Sequence, residues 1–335
     1  MSCVLVTGAQ GFIGQALVRR LLQEGLAGQP LRQLVLVDLS FRDAGCDTRV
    51  RQIRGSIAQP AVLRAALASQ PDVIFHLASV PGGASERDPA LGRSVNLDAT
   101  LQLIEACQVL PRPPRFIYSS SIAVYGDQPA HGASEDQAPQ PAISYGAHKL
   151  ACEILLADAS RRGWVDGCSL RLPGIVARRD DNPGLASGFM SQVFWRLAQG
   201  QPITLPISPT GRCWWMSAAT CVDNLLHLAS MDSSRWGPQR SYQMPVLHLG
   251  IGAVVDALAR RFGVPAQQLV RYAPDPIIDR VYASYPPLAT PRAEALELRH
   301  DGDVERLIAN ALGANALGAN ALGANALGAD LKACG

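Results

Sequence analysis

The sequence predicts a doubly wound α/β fold: a parallel sheet with helices on both faces, followed by a smaller C-terminal cap. Three observations carry this. Short apolar runs rich in β-branched residues alternate with helical periods through residues 1–172, the pattern of βα units. The first run passes into a glycine turn, Gly8-Ala9-Gln10-Gly11-Phe12-Ile13-Gly14, and then into a helical period over 16–22. After Pro173 the alternation breaks up, and proline and glycine become frequent.

Residues 2–7 are continuously apolar, as a strand buried on both faces must be. The glycines that follow let the chain turn tightly, approach a pyrophosphate and pack a helix on the sheet. The start of that helix offers free N–H groups to phosphate. Residues 34–37 form a second strand ending at Asp38. A carboxylate there can take both hydroxyls of an adenosine ribose and repels a 2′-phosphate, which favours NAD over NADP. Arg42 lies close by and keeps NADP open.

Residues 52–55 suggest a third strand, 61–69 a helix and 73–78 a fourth strand. The fourth runs into Ser79-Val80-Pro81-Gly82-Gly83, read as a loop at the carboxyl edge of the sheet, where open α/β sheets bind ligands. Asn96 opens a helical pattern that lasts through Cys107. A fifth strand over 115–119 runs into Ser119-Ser120-Ser121. A helix over 145–162, with Ser144 as its cap, and a sixth strand over 169–172 complete the alternation.

The segment from Arg115 to Lys149 holds the chemistry. Tyr145 and Lys149 stand four residues apart, on one helix face. A free tyrosine titrates near pH ~10, and a neighbouring ammonium favours its phenolate. A serine hydroxyl at a strand end, a tyrosine and a lysine are what a site needs to move a proton on or off an alcohol. His76 ends a buried strand and is read as packed. Trp214 and Trp215 fit either a pocket wall or a cap core.

Residues 173–308 read as a substrate-binding cap with some segments returning to the core, with helices over 188–197, 218–229 and 253–262, a strand over 247–249 and proline-rich loops over 272–291. Residues 309–335 form a separate tail, opening with four copies of Ala-Asn-Ala-Leu-Gly. A glycine in every copy weakens a helix by about 1 kcal/mol, so a frayed tail is expected.

The formal net charge of +2 is too small to suggest a nucleic-acid partner. No apolar run reaches the roughly 18 residues of a membrane span, and the strand that follows Met1 almost at once leads us to expect no signal peptide. Eight scattered cysteines without a CxxC pair fit a reducing, cytoplasmic setting. No cluster has metal-ligand spacing, so no metal is expected.

Taken together, Thr7-Gly8-x-x-Gly11-x-x-Gly14, Asp38, His76-Leu77-Ala78, Asn96, Ser119-Ser120-Ser121 before Val124-Tyr125-Gly126, and Tyr145-x-x-x-Lys149 resemble the extended short-chain dehydrogenase/reductases over roughly residues 2–175. The resemblance implies an NAD-binding Rossmann core and an oxidoreductase. It implies Tyr145 as catalytic acid/base, Ser121 as the contact to the substrate oxygen, and Lys149 binding the nicotinamide ribose while lowering the tyrosine pKa. Cofactor contacts carry over to Gly8, Gly11, Phe12, Ile13, Gly14 and Asp38, then to Ser56 and Ile57. Leu77, Ala78, Ser79, Asn96, Tyr145, Lys149 and Pro173 complete that set. Substrate contacts fall on Ser79, Gly82, Gly83, Ser121, Tyr145 and Arg178, the last as a clamp for a carboxylate.

Within the family, the run from His76 to Gly83, Val95-Asn96-Leu97-Asp98, Arg171-Leu172-Pro173 and Ala186-Ser187-Gly188-Phe189 are similar to members acting on small sugar acids. Ser56 stands where an aspartate is frequent near the adenine, and Ala123 replaces a threonine frequent in sugar-nucleotide epimerases. Residues 212–223 lack those epimerases' arginine–aspartate–aromatic pattern, and Pro173-Gly174-Ile175-Val176 stands in place of asparagine–valine–tyrosine–glycine. The expectation is therefore NAD-dependent oxidation of a secondary alcohol on a small sugar acid. The alternative is an epimerase or dehydratase that retains its cofactor. A homodimer pairing through helices 96–107 and 145–162 is the family-level expectation.

Overall fold

A computed structural model describes residues 2–41, 47–126, 132–179 and 186–313. Arg42 and the repeat copies after residue 313 lie outside these residues. β1 (Cys3–Thr7) passes through the glycine turn into α1 (Phe12–Glu24), and β2 (Gln33–Asp38) and β3 (Val50–Arg54) follow. α2 (Pro60–Leu67) leads to β4 (Val73–His76). Two short helices, α3 (Gly82–Arg87) and α4 (Pro89–Arg93), continue through a π turn over Ser94–Asp98 into α5 (Ala99–Ala106). β5 (Arg115–Ser121) ends in a 3-10 turn over Ile122–Tyr125. The short strand β6 (Ala133–Ser134) precedes α6 (Ser144–Arg161) and β7 (Asp166–Leu172).

The C-terminal part begins with β8 (Gly174–Val176), α7 (Phe189–Ala198), β9 (Ile203–Leu205), β10 (Arg212–Ser217) and α8 (Ala218–Ser230). β11 (Ser241–Gln243), β12 (Leu247–Gly250), α9 (Ile251–Phe262), α10 (Ala266–Leu269) and β13 (Val270–Tyr272) follow. α11 (Pro276–Tyr282), β14 (Leu288–Ala289), α12 (Pro291–Ala295) and α13 (Val304–Leu312) close it.

The main sheet has seven strands in the order β11-β7-β5-β4-β1-β2-β3, all parallel. β1 is central, with β2 on one side and β4 on the other, so the winding reverses beside it. A crevice opens at the carboxyl ends of such a pair. β1 is buried along its whole length because helices cover both faces. One core packs α1 and α8 against the sheet, and a second packs α2, α5 and α6 on the opposite face. A third lies among α7, β10, α9 and α13. β11 returns from the C-terminal part to extend the main sheet, while β8, β10 and β12 form a small sheet of their own.

Trp214 and Trp215 are buried in this part and donate to the carbonyls of Pro286 (2.7 Å) and Leu249 (3.0 Å), so they are core, not pocket wall. Cys3, Cys107, Cys152, Cys168, Cys213 and Cys221 are buried free thiols.

Five expectations need correction. The loop after β4 is shorter than read, because Gly82 and Gly83 already belong to α3. Asn96 does not open a helix; it sits in the π turn of a helical run that begins at Pro89. Ser144 does not cap α6: Ile143 holds the cap position without a side-chain bond, and Glu86 of α3 accepts the Ser144 N–H at 2.7 Å. The proline-rich stretch over 272–291 is not all loop. Asp275 accepts the N–H groups of Ile277 and Ile278, and Pro276 sits at the first helical position, where a missing N–H does no harm. The first copy of the repeat is also built into the fold: α13 runs through Leu312, which is buried, and Asn310 Nδ2 donates to Asp301 Oδ1 at 2.9 Å.

Candidate active site

The glycine turn closes on the end of β4. Gly8 has φ +69°, and a Cβ there would stand 2.7 Å from the Ala78 backbone nitrogen. A Cβ on Gly14 would stand 2.1 Å from the Gly8 carbonyl oxygen. Only glycine permits both approaches. α1 then starts from Gly11 without a side-chain cap, which leaves its first N–H groups for a ligand. Phe12 and Ile13 form its first turn, both partly exposed. Asp38 lies beside the turn, accepting the N–H groups of Gln10 and Leu39 at 2.7 Å each. Ile57 is buried just past β3, and Ser56 Oγ accepts the Ala58 N–H at 3.2 Å. This tight turn, the uncapped start of α1 and the carboxylate at the end of β2 fit a dinucleotide.

The support beneath is neutral. His76 is buried between Thr7 Oγ1 at 2.7 Å and Thr100 Oγ1 at 2.9 Å, and burial drives its pKa down to about 3. It is a packed residue. Asn96 is buried too, and its amide goes to the loop: Nδ2 donates to Val80 O (3.0 Å) and Ser85 Oγ (3.1 Å), and Oδ1 accepts the Val80 N–H (2.7 Å). Its direct partners are thus protein groups that shape residues 80–85. Leu77 and Ala78 back the glycine turn, and Pro173 is buried between β7 and β8.

The three serines of β5 have three different partners. Ser119 Oγ donates to His76 O at 3.0 Å, Ser120 Oγ donates to Glu153, and Ser121 faces Tyr145. α6 comes close because its third residue is glycine: a Cβ on Gly146 would lie 2.2 Å from the Ala123 carbonyl oxygen. On the other side Gly82 packs on the tyrosine, a Cβ there being 3.7 Å from Tyr145 Cβ. Gly83 is exposed.

Surrounding protein raises the Tyr145 pKa, while the Ser79 and Ser121 hydroxyls and the Arg178 charge act in the opposite direction. Lys149 is buried, donates to Ser119 O at 2.6 Å, and lies 4.7 Å from the Tyr118 ring centroid and 5.5 Å from that of Tyr145. Burial lowers its pKa to about 8, against the pull of Cys152 and Glu153. A positive charge from Arg178 thus opposes desolvation at Tyr145, and the Lys149 ammonium lies 5.5 Å from the centroid of the same ring. Arg178 is half-buried with its guanidinium 5.3 Å from the Phe12 ring centroid, so it spans the glycine turn and the tyrosine.

Ser79, Gly82, Ser121, Tyr145, Lys149 and Arg178 thus come together at the carboxyl edge of the sheet, and Asp38 and the glycines lie at the crevice beside β1. Sequence reading passed over Gly146, Glu153 and Arg171. A charged residue four places after Lys149 on the same helix face was the available signal for Glu153.

The profile of the NAD dependent epimerase/dehydratase family matches residues 4–238. The chain is 36% identical to D-erythronate dehydrogenase of Cupriavidus necator over 311 residues, covering 91% of this chain and 96% of that protein. It is 30% identical to D-erythronate dehydrogenase of Haemophilus influenzae, covering 91% and 97%. Among solved structures, the nucleoside-diphosphate-sugar epimerase of Agrobacterium tumefaciens superposes with a TM-score of 0.84 at 32% identity, covering 92% of each chain.

Proposed function

This chain belongs to the NAD dependent epimerase/dehydratase family, and on that premise we propose that it oxidises a secondary alcohol on a small, D-erythronate-like sugar acid. The observation that carries the reading is the convergence of an alcohol-handling pair, Ser121 and Tyr145, with a cation, Arg178, acting on the same phenol. An alcohol beside a carboxylate is the substrate such a pairing suits.

Gly8, Gly11, Gly14 and Asp38 hold NAD, with Phe12, Ile13, Ser56, Ile57, Leu77, Ala78 and Pro173 around it. When bound, NAD supplies the hydride acceptor. Tyr145, as phenolate, takes the hydroxyl proton, and Ser121 holds the same oxygen. Ser79 donates to the phenolate and, with Gly82 and Gly83, walls the substrate space. Arg178 favours the phenolate by its charge and clamps the substrate carboxylate. Lys149 would hold the nicotinamide ribose, and Asn96 acts through the loop it ties down.

Residues 1–172 form the cofactor part and 173–308 chiefly the substrate cap. The chain pairs with a second copy across α5 and α6, where Ile154 and Leu155 are exposed. Among the described residues no helix is long and apolar enough to cross a membrane, and the buried free thiols suit a reducing compartment such as the cytoplasm.

The test is NADH formation with a panel of four- to six-carbon sugar acids, with NAD and NADP in parallel. The reading expects NADH with NAD and a D-erythronate-like acid. A second reading, a cofactor-retaining epimerase, is favoured by the likeness to the Agrobacterium tumefaciens nucleoside-diphosphate-sugar epimerase. It expects tightly held NAD and no net NADH.

A further inference from the structure

Glu153 is a carboxylate buried to 3% exposure in the middle of α6. Arg171 of β7 grips it with a planar fork, Nε to Oε1 at 3.0 Å and Nη2 to Oε2 at 2.7 Å. Ser120 Oγ of β5 donates to the same carboxylate. The remaining arm of the arginine reaches forward, Nη1 donating to the Tyr125 hydroxyl at 3.0 Å, with the guanidinium 4.9 Å from that ring's centroid. All four side chains are nearly fully buried.

A buried ion pair is a weak source of stability. Apolar side chains of similar volume commonly serve as well or better, because desolvation offsets the attraction. What such a pair does offer is register, since its directional bonds admit one relative placement of the elements it joins. The elements joined here are those that carry the reacting groups. Glu153 shares α6 with Tyr145 and Lys149, lying eight residues from the first and four from the second. Ser121 is flanked by Ser120, which the carboxylate holds directly, and by the Ile122–Tyr125 turn, which it holds through Arg171. An α-helix rises about 12 Å over eight residues, so a small tilt or slide at Glu153 displaces the phenol relative to Ser121.

We propose that Glu153 is a positioning residue that, through Ser120 and Arg171, sets the Tyr145 phenol against the Ser121 hydroxyl. This rests on the reading of Ser121, Tyr145 and Lys149 as the proton-transfer set.

The test replaces the network by apolar groups, Ser120→Ala with Glu153→Leu and Arg171→Met, in the full chain. No charge is then left unpaired, and the variant is expected to melt at or above the parent temperature. Its kcat is expected to fall about 100-fold with KM little changed, the effect of misplacing a catalytic group by about 1 Å. A readout free of substrate accompanies it: the phenolate absorbance titration of the protein, with and without Tyr145→Phe, which isolates Tyr145. The groups facing that phenol are the cations Arg178 and Lys149, the Ser79 and Ser121 hydroxyls, and Tyr118 of β5. None of these residues is replaced, but Glu153 favours the Lys149 ammonium, so the titration is read in Ser120→Ala, which keeps the Glu153 and Arg171 charges. Loss of the Ser121 hydroxyl from its place moves the titration to higher pH. Parent kcat in a folded triple variant, with an unmoved titration in Ser120→Ala, overturns the proposal. If the triple variant does not fold, Ser120→Ala alone decides it: about tenfold lower kcat supports the role, and parent kcat removes it. If the parent protein oxidises no sugar acid, the functional reading fails, and the titration still tests Glu153.

Discussion

The two sides of the site are built by different means. Ser121, Tyr145 and Lys149 are fixed on β5 and α6, and the polar groups behind them are buried and paired. Arg178 comes from the irregular segment after β8, half-buried, resting on the Phe12 ring. Proton transfer tolerates little misplacement, so it sits on rigid elements. On the proposed reading, substrate choice falls to a connecting segment, and such segments change more readily than the elements they join. The chemistry and the selectivity of this site should therefore respond separately to substitution.

The sharpest way to break that separation is Tyr145→Phe. It removes one oxygen and keeps the ring between Gly82 and Lys149. We expect kcat to fall about 1000-fold, with NAD affinity, read by fluorescence titration, essentially unchanged. Turnover near the parent rate would mean that the proton leaves by another group.

Lys149 gives the next largest effect, on stability. Its folded pKa is about 8 against 10.5 for the free side chain. Between those values the unfolded chain binds more protons than the folded one, so this group's contribution to stability rises as pH goes from 8 to 10.5. Below pH 8 both states are charged and the burial penalty is fully present. The buried thiols and tyrosines, whose pKa values burial raises, act the opposite way over this range, so the lysine is read as a difference. In urea titrations of the cofactor-free protein, the stability of the parent relative to Lys149→Met should rise by about 3 kcal/mol from pH 8 to 10.5. Equal pH slopes for parent and variant would show that the ammonium is not desolvated.

The rigid side was also the legible side. A β-branched run, three glycines and a helical period are local signals, and the Gly8 and Gly14 contacts show why no other residue serves there. Tyr145 and Lys149 become legible when their spacing is read together with the glycine turn and the serine-ended strand. What sequence did not yield depends on groups distant in the chain. Glu86 at the start of α6, Asn96 tied to Val80, and Arg178 beside Phe12 are pairings made only when elements meet. The short helices over 82–93 begin with two glycines, poor helix formers, and are held by Asp88 accepting the Leu91 N–H and by packing against α6. Composition there reads as loop, and tertiary contact overrides it.

Arg178→Ala tests the selective side. Loss of a charge-assisted clamp should raise KM for the sugar acid about 30-fold, with NAD affinity retained. Because the same guanidinium lowers the Tyr145 pKa, the alkaline-rising limb of the rate profile should also move to higher pH. Arg178→Lys should restore the pH limb better than KM, since an ammonium keeps the charge but not the bidentate fork. An unchanged KM removes the clamp and leaves only the electrostatic role.

Asp38→Asn gives the smallest effect and bears on cofactor choice alone. The asparagine carbonyl can still accept the Gln10 N–H that Asp38 Oδ2 receives at 2.7 Å, so the glycine turn keeps its shape. What is lost is the charge that strengthens two ribose hydroxyl bonds and repels a 2′-phosphate. A net loss of about 1.4 kcal/mol corresponds to about tenfold weaker NAD binding. The kcat/KM ratio for NAD over NADP should narrow by at least that factor, with kcat at saturating NAD unchanged. If the ratio does not move, discrimination lies in residues after Leu39, and Asp38 serves only to brace the turn.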